Sequence, residues 1–146
     1  MYYDYRSFIK SKILLVCPDL KEHKDGFNRD NIDSVTAKDG FHILPGRINR
    51  EFVTHQCDDY EDTLNLNLWL VFCGGIYVQA EIDQAIDKAN CIANELMKRE
   101  QYPIDDTLVR TLVNNFEPIP MDTNDNIIII SMNIQMLIRS CTDSCA

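Results

Sequence analysis

The sequence predicts an all-α fold, a globular bundle packed around one buried central helix. Three observations carry this expectation. Thr63 through Ala80 is uncharged, with Leu68-Trp69-Leu70-Val71-Phe72 at its heart, and acidic residues crowd both flanks (Asp58, Asp59, Glu61, Asp62; Glu81, Asp83). A segment apolar on every side has to be surrounded by protein, and Gly74-Gly75 within it marks a close approach of another backbone. Next, Ile82, Ala85, Ile86, Ala89, Ala93, Leu96 and Met97 form an amphipathic stripe. Glu81 and Asp83 stand at its start, Lys98 and Arg99 at its end, as the helix dipole prefers. Finally, Ile104, Leu108, Leu112 and Phe116 make a ridge at i+4 spacing, with Asp105 and Asp106 in its first turn.

The remaining elements follow in chain order. Tyr5, Phe8, Ile9, Ile13 and Val16 recur at helical spacing, and Pro18 stops this first helix. Lys21 through Asp30 is charged, holds Gly26 and reads as a loop. Asn31 through Leu44 fits a helix capped by Asn31 or Asp33 and weakened by Gly40. Pro45 suits the first turn of another, which places Ile48 and Phe52 one turn apart. Asp58 through Asp62 reads as a solvated acidic turn capping the central helix. Pro103 ends the amphipathic helix; Pro118 and Pro120 close the ridge that follows. The four isoleucines at 127–130 favour a strand by propensity. One strand alone lacks a partner, so Ile127 through Ile138 is read as a buried last helix. A rival reading stays open: Leu64-Asn65-Leu66-Asn67-Leu68 alternates at period two. Cys73-Gly74-Gly75 would then be a hairpin loop leading to Ile76-Tyr77-Val78.

The 146 residues, 45% hydrophobic and 25% charged, describe a single domain that buries roughly two-thirds of its unfolded surface. A formal charge of -9 argues against nucleic acid, whose phosphates need clustered Lys and Arg, and against an anionic membrane surface. The central run is too short in its fully apolar part to span a bilayer. With no secretory signal and no terminal hydrophobic anchor, the expectation is an intracellular protein with reduced cysteines. Cys73 and Cys91 are read as small core residues.

No constellation of catalytic residues stands out, so a binding protein is expected, not an enzyme, with no cofactor and no metal. His42, His55, Cys57, Cys141 and Cys145 match no common zinc spacing. Gly74-Gly75 lacks the Lys-Ser or Lys-Thr of a phosphate loop. An α+β enzyme using His55 and Cys57 is the catalytic alternative.

Gly46-Arg47-Ile48, an acidic turn and then Phe72-Cys73-Gly74-Gly75-Ile76-Tyr77-Val78 resemble the fourth and fifth helices of the B-cell lymphoma-2 family. Tyr2 through Val16 resembles that family's opening helix, and Asp83 through Arg99 the amphipathic helix after the central one. The resemblance is to the small viral members. The family's Asn-Trp-Gly-Arg signature, due near Thr63-Leu64-Asn65-Leu66, is missing, and Val35 through Gly40 reverses the last pair of its second-helix motif. The resemblance implies an inhibitor of host apoptosis. It would hold amphipathic pro-death helices of the Bim, Bak and Bax class in a groove bounded by the second to fifth helices. Phe41, Ile48, Phe52 and His55 would line that groove, with Asn67 near it. Arg47 or Arg50 would pair with the ligand's aspartate, an interaction of about 1.5–3 kcal/mol. For Ile48 and Phe52 the plain alternative is core packing; for Arg47 and Arg50 it is solvated surface. The implied location is the host cytoplasm, with mitochondrial association through partners, and a homodimer is admitted. The other reading is a helical viral protein of this fold that assembles with itself or binds a signalling adaptor.

Overall fold

The computed structural model describes residues 4–23, 39–52, 60–73, 78–99, 102, 108–119 and 127–140. The elements are α1 (Tyr5–Val16), β1 (Lys21–Glu22), β2 (Gly40–Phe52), β3 (Tyr60–Cys73), α2 (Gln79–Leu96), β4 (Leu108–Ile119) and β5 (Ile127–Ser140). The five strands form one sheet in the order β1-β2-β3-β5-β4. Only β1 is parallel to its neighbour. The expected all-α bundle of the B-cell lymphoma-2 type is therefore overturned. The chain is mainly a sheet, with two helices among the described residues.

β3 and β5 are the spine. They pair antiparallel without a break from Tyr60↔Ser140 to Cys73↔Ile127. Thr63 to Cys73, read as the first part of a central helix, is thus strand; Gly74–Tyr77 lie outside the described residues, and α2 begins after Val78. Leu70 through Phe72 are buried on both faces, and over so short an apolar run periodicity cannot separate strand from helix. The same holds for Ile127–Ile138, which is β5 and not a last helix. Ile128 and Ile130 are buried on one face, Ile127 and Ile129 on the other. The partner that the isoleucine run needs is β3.

Even-numbered residues of β3 and β5 point to the helices. Leu64, Leu66, Leu68 and Leu70 meet Met132, Ile134, Met136 and Ile138 in one buried cluster with α1 and α2. Burial stabilises each such side chain by about 1.5–3 kcal/mol. α2 lays Ala85, Ala89 and Ala93 in this cluster, small residues that let it sit close to its neighbours, with Ile92 and Leu96 beside them. α1 contributes Phe8, Ile9 and Ile13. Its N-terminus is capped by Asp4, whose carboxylate accepts from the Ser7 backbone N–H at 3.1 Å and from the Ser7 hydroxyl at 2.7 Å. The hydrogen bonds from Ser7 hold the Asp4 carboxyl below its ordinary pKa. Both helices lie where the 3.6-residue pattern places them.

The ridge at Leu108, Leu112 and Phe116 belongs to β4, not to a helix. Register shifts between Leu108 and Arg110 and between Val113 and Asn115 insert an extra residue twice. Each insertion flips the inward parity, so Leu108 and Phe116 face the helices while Leu112 faces away. The helix expected from Pro45 is β2. It carries its own register shift between Pro45 and Ile48. A Cβ on Gly46 would collide with the Asn65 carbonyl oxygen of β3, so only glycine lets the two strands pass here.

The acidic turn is also corrected. Glu61 and Asp62 lie in β3; Asp58 and Asp59 fall outside the described residues. Asp62 is fully buried on the helix-facing side. Directly opposite, Arg50 on β2 grips it with Nε to Oδ1 at 2.8 Å and Nη2 to Oδ2 at 3.0 Å. The Arg50 guanidinium also stacks 3.8 Å over the Tyr60 ring. Among the described residues, no helix is long and apolar enough to cross a membrane.

Candidate functional site

Odd-numbered residues of β3 and β5 build the face away from the helices. Read across β2, β3, β5 and β4, one row is His42, Trp69, Ser131 and Glu117, and the next is Leu44, Asn67, Asn133 and Asn115. Then come Asn65, Gln135 and Leu112, with the Gly46-Arg47 bulge on the β2 side. Asn49, Thr63, Leu137 and Arg110 follow. The middle of this face is therefore amide and aliphatic, with Trp69 half-buried above it. The amides are tied to one another. Gln135 Nε2 donates to Asn65 Oδ1 at 3.0 Å, Asn65 Nδ2 to the Arg47 carbonyl at 3.3 Å, and Asn114 Nδ2 to Asn133 Oδ1 at 3.3 Å. Charges stand at the margins: Arg110 and Glu117 on β4, and Glu61 paired with Arg139 at 3.0 Å.

Two cavities flank β4. One of about 260 Å³ lies between the end of α2 and β4, lined by Met97, Arg99 and Tyr102 on one side and Val109 through Leu112 on the other. A smaller one, about 150 Å³, opens on the outer face among Thr63, Gln135 and Leu137, and it shares Arg110 and Leu112 with the first. The bulge at Val109 re-aims the strand at this spot, as bulges do beside binding sites. The Met97 sulfur accepts from the Val113 N–H at 3.3 Å and pins α2 to β4. The Tyr102 hydroxyl donates to the Leu96 carbonyl at the end of α2. Burial pushes the Tyr102 phenol up from its ordinary pKa, tempered by the nearby Thr111 hydroxyl, so it stays a protonated donor. Thr111 is 1% exposed, and its hydroxyl lies against the Tyr102 phenol.

Both long edges of the sheet are blunted. β4 carries two bulges and Pro118; β2 carries Pro45 and its bulge, and β1 covers only its first two residues. Such devices discourage strand addition.

The residues expected to form a helix-binding groove are not brought together. Phe41 is wholly buried in the helix-side core, and Ile48 is 52% exposed on β2. Phe52 ends β2, and His55 lies outside the described residues. Asn67 sits on the opposite face from Phe41. Arg47 is exposed at the bulge, and Arg50 holds Asp62. A groove bounded by the second to fifth helices has no counterpart among the described residues. Cys91 is exposed, against the core position expected for it; for Cys73 only the backbone is described. Burial pushes the Cys17 thiol up from its ordinary pKa, which lowers its nucleophilic fraction. Of the imagined zinc set, His55, Cys57, Cys141 and Cys145 lie outside the described residues. His42 instead places Nδ1 at 2.6 Å from the His23 carbonyl oxygen. Among the described residues no group of three His, Cys, Asp or Glu converges on a metal position.

Reading from sequence missed Trp69, Leu112, Thr111 and Arg110 as site residues. The period-two alternation at Leu64–Leu68 was the one signal that pointed to an amide face. No protein-family model matches this chain, and no curated protein is significantly similar to it.

Proposed function

We propose that this protein is a non-catalytic binding module whose sheet face opposite α1 and α2 is its interaction surface, occupied by a second copy of the chain. The observation that carries this reading is the charge-free centre of that face. A solvated surface on an acidic protein is expected to be charged, and the outward side of α2 is so, with Glu81, Asp83, Asp87 and Lys88. The sheet face instead sets Trp69, Leu44, Leu112 and Leu137 among Asn and Gln. Depletion of charge at the centre with an aromatic anchor is the compositional mark of an interface.

The occupant follows from charge and chemistry. Two chains of formal charge -9 repel, so self-association has to use a neutral patch, and this is one. Amide side chains both donate and accept, so a face rich in them is complementary to itself across a two-fold axis. With strands about 4.8 Å apart and a rise of about 3.3 Å per residue, the patch projects to roughly 450 Å². Two copies then bury on the order of 1,000 Å² once side-chain relief is counted, the lower end for a specific interface. A reversible, micromolar dimer is expected.

Trp69 is the only tryptophan and reports directly. Sedimentation equilibrium is expected to show a monomer–dimer exchange, with a blue shift of Trp69 emission as concentration rises. Asn133→Lys, which places a charge at the centre of each face, is expected to give a folded monomer. A wild-type chain that stays monomeric at 100 µM, with concentration-independent emission, would overturn the reading.

A further inference from the structure

The outer face sets a large aromatic side chain and a hollow at matching distances from its centre. Its four rows are centred on the paired residues Leu66 of β3 and Ile134 of β5. Three residues to one side of that pair stand Trp69 and Ser131; three residues to the other stand Thr63 and Leu137. Trp69 is partly exposed. The hollow of about 150 Å³ lies at the opposite end, with Leu112 and Leu137 as aliphatic walls and Thr63, Gln135 and Arg110 around them. A space of about 150 Å³ holds one benzene ring. The charges on β4 follow the same plan. Glu117 closes the Trp69 row and Arg110 the Thr63 row, and both are exposed.

A two-fold axis lying in the face decides which residues of two copies meet. An axis that crosses the strands at Leu66 and Ile134 keeps each strand opposite its own copy and exchanges the two ends. Trp69 of one copy then falls at Thr63 of the other, on the hollow, and Glu117 falls on Arg110. The same contacts recur in reverse, as an isologous interface requires. The strands of the two sheets stay within about 30° of one another, the aligned mode of sheet packing. An axis along the strands sets Trp69 on Ser131 instead, away from the hollow, and Arg110 on Asn49. We infer that two copies meet about the cross-strand axis, with Trp69 of each seated in the Thr63, Leu112 and Leu137 hollow of the other and Glu117 facing Arg110 at the rim. The inference rests on the self-association proposed above and names its register. Trp69 is the aromatic anchor in a pocket. The rim charges add little affinity in water and fix the orientation.

The test is an isotope-filtered NOE experiment on a mixture of labelled and unlabelled full chain, held above the dimer midpoint. NOEs from the Trp69 ring of one copy to the Leu112 and Leu137 methyl groups of the other are expected. Sedimentation of variants gives a second reading. Trp69→Ala is expected to weaken dimerisation at least tenfold. Arg110→Glu alone and Glu117→Arg alone are each expected to weaken it several-fold, because each sets like charges face to face, and the two together to restore it. A dimer whose intermolecular NOEs join Trp69 to Ser131, or to residues outside the hollow, overturns the inference and leaves self-association standing. A double reversal that dimerises no better than the single ones does the same. A chain that stays monomeric overturns both.

Discussion

The two faces of this sheet share the same strands and differ by one residue in parity. Leu66, Leu68 and Leu70 alternate with Asn65, Asn67 and Trp69 along β3. One set is locked beneath two helices; the other forms an amide field on the face away from both described helices. Stability is thus concentrated on the helix side; on the other, Val71, Ile127 and Ile129 are buried at one end, and the amide rows beside them are partly exposed. The exception is instructive. At the end of the helix-facing side, Asp62 is buried and needs Arg50 to be tolerable there.

The two faces are expected to differ most in energy at the middle of β3. Leu68→Ala is expected to cost about 2–5 kcal/mol, since Leu68 is 0% exposed. Asn67→Ala, its neighbour on the other face, should stay within about 0.5 kcal/mol. Urea denaturation of both variants checks this; equal losses would mean that the two faces are not energetically distinct. The Arg50–Asp62 pair comes next. Arg50→Ala leaves a buried carboxylate without its cation and is expected to cost about 2–3 kcal/mol, the low side for a buried pair because the Arg50 side chain is half exposed. Arg50→Met with Asp62→Leu should recover most of that loss, and a double-mutant cycle measures how much.

The smallest effect is at the cap of α1, the helix that covers part of the apolar face. The folded pKa of Asp4 is lowered by its hydrogen bonds from Ser7. Its contribution is therefore fully present above the unfolded value of 3.8 and is lost as pH falls through the folded pKa. The Ser7 amide should exchange faster below that range, while amides of β3 and β5 keep their protection. Asp4→Asn, which still accepts the cap hydrogen bond, should remove the acid dependence. An exchange profile for Ser7 that does not move with acid would contradict the cap.

Legibility followed the same geometry. α1 and α2 were readable because each has one buried and one solvated side, so their 3.6-residue period survives in the sequence. β4 was not readable, because its two bulges break the alternation that Leu108, Thr111, Val113 and Phe116 would otherwise show. Arg50, expected on a helix surface, is the cross-strand partner of Asp62, and nothing local announces that pairing. The residues around the larger cavity come from the end of α2 and from β4. Their convergence has no sequence signature.

By itself the sequence determined which segments would be buried, where the two helices run and how acidic the surface is, for these depend on composition and local periodicity. It did not determine whether Thr63–Cys73 and Ile127–Ile138 were helix or strand. Among the described residues only Val71, Ile127 and Ile129 bury the second face; the rest of each strand alternates at period two, and that alternation does not name the strand with which it pairs. Only tertiary structure decided it. A strand's hydrogen bonds go to another strand, and the partner of each of these segments lies far along the chain, across α2 and β4.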